Sequence, residues 1–70
     1  MTRDDSDEMR AAFSARERAM IRQLRRDQEW CDGTAEERRE RGMPCDTEVQ
    51  RSRALRWAIE VILASKGVLQ

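Results

Sequence analysis

Arg18, Arg22, Arg25 and Arg26 recur at a spacing that gathers them within a sector of roughly 100° of a helix. Guanidinium groups in such a row offer a landing strip for phosphates or for an acidic protein surface. The plainer expectation is a solvated polar face, partly neutralised by Glu29. Trp30 follows on the same helix, off its apolar side, and a tryptophan left half in water is a common binding anchor. Together with Met43, these residues form the candidate partner-binding set: Arg18, Arg22, Arg25, Arg26, Trp30 and Met43. Packing of Trp30 beneath a connector is the competing expectation.

Catalytic chemistry has little to work with. The chain contains no histidine and no tyrosine, no serine or cysteine stands in a recognisable nucleophile motif, and the three glycines lack phosphate-loop spacing. Carboxylates are plentiful, but a catalytic acid needs a pocket that raises its pKa, and a short helical hairpin has little room for one. No catalytic residue and no cofactor is expected.

Cys31 and Cys45 fall near the end of one predicted helix and just before the next, so a hairpin would bring them near each other. The absence of an export signal argues against a disulfide, and two cysteines without histidine cannot fill a four-ligand zinc site in one chain. Reduced, structural thiols are expected, with no metal. A disulfide, or a metal or redox role between subunits, is the alternative.

The elements that position these groups are helices. Fourteen basic and fourteen acidic residues cancel, the charged fraction is 40%, and the hydrophobic fraction is 39%. Such a mixture suits amphipathic helices, and β-branched and aromatic residues are too few for strands outside the C-terminal third. Thirteen of the fourteen basic residues are arginine, as codon usage or a preference for bidentate contacts would produce. Residues 1–5 are expected to form a tail, with Asp5 or Ser6 as the cap of helix 1 over residues 6–31. Asp32-Gly33 should end that helix. A capping box of Thr34 and Glu37 should open a short polar connector helix over residues 34–41, and Gly42-Met43-Pro44 should stop it. Asp46 or Thr47 should cap helix 2 over residues 47–66, with Gly67 as its stop and Val68-Leu69-Gln70 folding back on helix 1.

Helix 2 carries most of the oil. On a wheel, Leu55, Ile62, Ala58, Ala54, Val61 and Trp57 fill one arc, Ile59 and Leu63 extend it, and the whole spans roughly 240°. A surface helix needs an apolar stripe somewhat over ~100° wide, so this one demands two neighbours or more. Trp57 is expected in the core. Leu55, Trp57, Ile59, Ile62 and Leu63 are therefore the expected dimer interface. Glu60, the one acid in this stretch, could take an arginine from a neighbouring chain and fix the register.

The fold expected is all-α: one small domain of 70 residues, a helical hairpin of two long helices with a short polar helical connector, pairing into a dimeric four-helix-type bundle. No leader and no apolar run of ~20 residues is visible, so the expected location is cytoplasmic with no membrane partner. The function expected is that of a small non-enzymatic regulator of the kind phages and mobile elements carry, which binds a larger host or cellular protein and inhibits or modulates it. The alternative is a regulator that binds DNA or structured RNA through the arginine stripe, against which the zero net charge counts.

Overall fold

A computed structural model describes residues 6–68, which form three helices and no strand: α1 (Asp7–Ala12), α2 (Ala15–Glu40) and α3 (Asp46–Ser65). The two long helices pack antiparallel as a hairpin, and α1 folds back over the end at which α3 finishes. The proposed tail and Leu69-Gln70 lie outside the described residues.

Where one first helix was expected, there are two. Ser6 caps α1, its hydroxyl accepting from the Met9 amide at 3.2 Å. The chain then becomes extended at Phe13 and Ser14. Ser14 and Glu17 form a reciprocal capping box: the Ser14 hydroxyl accepts from the Glu17 amide at 3.1 Å, and the Ser14 amide donates to Glu17 Oε1 at 2.9 Å. This restart lets α1 turn back, so that Met9 and Phe13 bury against Ile21, Ile59 and Leu63. Arg18 Nη1 donates to the Phe13 carbonyl at 2.6 Å, satisfying an acceptor that the break leaves behind.

The expected stop at Asp32-Gly33 and the separate connector helix do not form. α2 continues through both, Gly33 has no positive φ, and Thr34 lies mid-helix without opening a capping box. Cys31 and Ala35 on either side are buried, and that packing outweighs the ~1 kcal/mol that glycine costs in a helix interior. The real stop comes at Gly42, with φ 71°. Its amide donates to Arg39 O at 3.1 Å, and the Met43 amide reaches Arg38 O at 2.8 Å, a Schellman closure. Gly67 closes α3 in the same way, with Val68 donating to Leu63 O at 3.0 Å and packing against the core. At the start of α3 the cap is Cys45, without a side-chain hydrogen bond, in place of Asp46 or Thr47.

The interior divides along the hairpin. At the end where α1 folds back, Met9, Phe13, Ile21, Ile59 and Leu63 form an apolar core, with Ala12, Leu24, Ile62 and Val68 around it. Toward the α2–α3 turn the contacts become polar. The Ser52 hydroxyl donates to the Asp32 carboxylate, Gln28 Oε1 accepts from Arg56 Nε and Nη2 at 3.1 and 3.2 Å, and Arg38 pairs with Glu48 at 3.2 Å.

Trp57 is not in this core. It is 67% exposed, because α2 covers one side of α3 and six-residue α1 reaches only one end.

Candidate interaction surface

The antiparallel pairing of α2 and α3 leaves a trough on each side, and the two differ in chemistry. On one side Asp32, Glu36, Arg39, Arg53 and Arg56 line a cleft of about 310 Å³ with Ala35, Val49 and Ser52. Acids and arginines alternate there, so the wall has no uniform sign. On the other side Phe13, Glu17, Met20, Ile21, Leu24 and Ile62 enclose about 210 Å³, mostly apolar. Farther along the same side, Asp27, Trp30, Cys31, Arg51 and Leu55 line a further cleft of about 470 Å³. Met20 and Trp30 stand on its rim, 62% and 64% exposed. The α2 wall presents carboxylates, Glu17 and Asp27, and the α3 wall a guanidinium, Arg51.

Glu17 is held below the usual carboxylate range, first by the hydrogen bond it accepts from the Ser14 backbone amide and then by its side-chain bond to Ser14. It therefore stays negative at the mouth of the apolar cleft through the physiological range.

The residues predicted to bind a partner do not form one surface. Arg18, Arg22 and Arg25 are half-buried on the flank of α2 away from Met20, and Arg18 is engaged with Phe13 O. Arg26 is exposed one turn before Trp30, while Met43, 48% exposed, belongs to the α2–α3 turn. Of the predicted dimer set, Ile59 and Leu63 are buried within one copy, Ile62 packs on the core, Leu55 lines the cleft, and Trp57 alone lies fully on the outside. Periodicity located the apolar arc of α3. It could not say which part α2 would cover, nor that Met20 would stand exposed beside the cleft.

Both cysteines are free. Cys31 is buried level with the Asp32–Ser52 contact, whereas Cys45 precedes Ser52 by seven residues, roughly 10 Å along the helix axis. That offset exceeds the Cα separation a disulfide spans, ~4.4–6.8 Å, which corrects the expectation that the hairpin brings them together. No three acidic or thiol side chains converge as a metal site among the described residues. No helix among them is long and apolar enough to cross a membrane.

Comparison with known proteins gives no relative. No family model, no curated protein and no solved structure matches the chain.

Proposed function

We propose that this chain is a small, non-enzymatic, cytoplasmic regulator that binds a larger protein and thereby inhibits or modulates it. One observation carries the reading: the apolar trough between α2 and α3, whose two clefts lie in line and whose rim exposes Met20 and Trp30. A trough between two packed helices is the shape a third helix fills, with apolar anchors spaced a turn apart. The occupant that fits is an amphipathic helix of the target, with apolar residues for the cleft floor and mixed charge at its edges to meet Glu17, Asp27 and Arg51.

The nucleic-acid reading has less support. Three of the four stripe arginines are half-buried, and the exposed arginines of the opposite trough alternate with Asp32 and Glu36.

The test compares capture of a partner by the natural chain with capture by Trp30→Ala and Met20→Asp. Both side chains are exposed, so helicity and melting should be unchanged, while a hot-spot tryptophan worth at least ~2 kcal/mol would lower affinity about 30-fold. Raising salt from low to moderate should leave the complex intact. Retention of nucleic acid that is lost steeply with salt would replace this reading with the other one.

A further inference from the structure

The outer face of α3, turned away from α2, is a second surface. Gln50, Ala54, Trp57, Val61 and Ala64 follow one another at alternating intervals of four and three residues, the seam spacing of paired helices. All five are exposed and none is charged. Trp57 stands at the midpoint, with small Ala54 and Ala64 and the 46%-exposed Val61 around it.

Arg53 and Glu60 run along one flank of this seam, seven residues apart and centred next to Trp57. Both are exposed, and neither has an ion-pair partner among the described residues.

We propose that α3 pairs with α3 of a second copy, antiparallel, about a two-fold axis at Trp57. The flanking charges select both the occupant and its direction. An antiparallel copy sets Arg53 against the partner's Glu60 and, by symmetry, Glu60 against the partner's Arg53. A parallel copy would set this flank against the opposite flank of its partner, where Ala58 and Ser65 stand, and would leave both charges unmatched. The same axis places Ala54 opposite the partner's Val61, so small side chains on either side make room for the two indoles. Two-thirds of an indole side chain together with the four other seam residues amounts to on the order of 400 to 500 Å² per copy. That is at the low end for specific interfaces, so the dimer is expected to be weak and to depend on concentration. It leaves the α2–α3 trough open on each copy, and it does not depend on what occupies that trough.

Sedimentation equilibrium of the full chain over about 5 to 500 µM should give a monomer–dimer equilibrium. Val61→Asp and Trp57→Ala should give monomers of unchanged helicity, since neither side chain is buried in one copy, whereas Trp30→Ala should leave dimerisation untouched. Arg53→Glu and Glu60→Arg should each weaken self-association about tenfold or more. The two singly reversed chains should then associate with each other when mixed, and the double reversal should restore the homodimer. A monomer throughout the concentration range, or a dimer indifferent to both reversals, overturns the proposal. So does a seam whose variants lose only the target and not the second copy.

Discussion

Ser14 determines where the chain turns. Nothing around it breaks a helix by propensity, yet its hydroxyl and amide both find Glu17, and that pair competes with helix continuation locally. Ser14→Ala should cost about 1 kcal/mol, which a thermal melt would register as a fall in Tm of roughly 4–8 °C. Glu17 adds a pH dependence of known sign. Its folded pKa is depressed, so its contribution is complete above the ordinary glutamate value and is lost as pH falls through the lowered one. Monitored by NMR, the Ser14 amide should titrate below the ordinary glutamate range, and the α1–α2 junction should loosen only there. The Ser-x-x-Glu pattern was in the sequence all along. It was hidden because the flanking alanines, arginines and methionines read equally well as uninterrupted helix.

At the scale of elements, the two glycines with positive φ behaved as sequence rules require. Gly42 and Gly67 end α2 and α3, and α3 begins and ends within about a residue of its expected span. Gly33 did not, because whether a glycine stops a helix depends on what its neighbours bury, and Ala35 falls in a stretch so polar that nothing in it marks an interior residue. A methyl group added at Gly33 would meet nothing within 4 Å. Gly33→Ala should therefore stabilise the protein by about 0.5–1 kcal/mol, seen as a higher denaturant midpoint with an unchanged slope. The trough was less legible than the helices. Its floor comes from Leu24, Leu55 and Ile62, of which the last two belong to the apolar arc read from the periodicity of helix 2, but its rim of Met20 and Trp30 depends on the tilt and register of two helices, set by contacts such as Gln28–Arg56 and Asp32–Ser52.

For the whole molecule, the division of the interior matters most. The apolar cluster ties α1, α2 and the last turns of α3 together, while the half nearer the α2–α3 turn buries the small Cys31 and Ala35 and leans on hydrogen bonds and the Arg38–Glu48 ion pair to join the two helices, with Glu48 Oε2 buried and unmatched. Native-state amide exchange should show a gradient, with Ile59 and Leu63 opening at or near the global free energy and Arg38 to Val49 opening well below it. Uniform protection along both helices would contradict that gradient. A molecule so built is clasped firmly beside α1 and only loosely toward the bend that joins its two long arms. A guest helix pressing in beside Trp30 would pry at the yielding part, spread it by breaking a few polar links, and leave the oily clasp shut, so the hairpin can change its grip without coming undone.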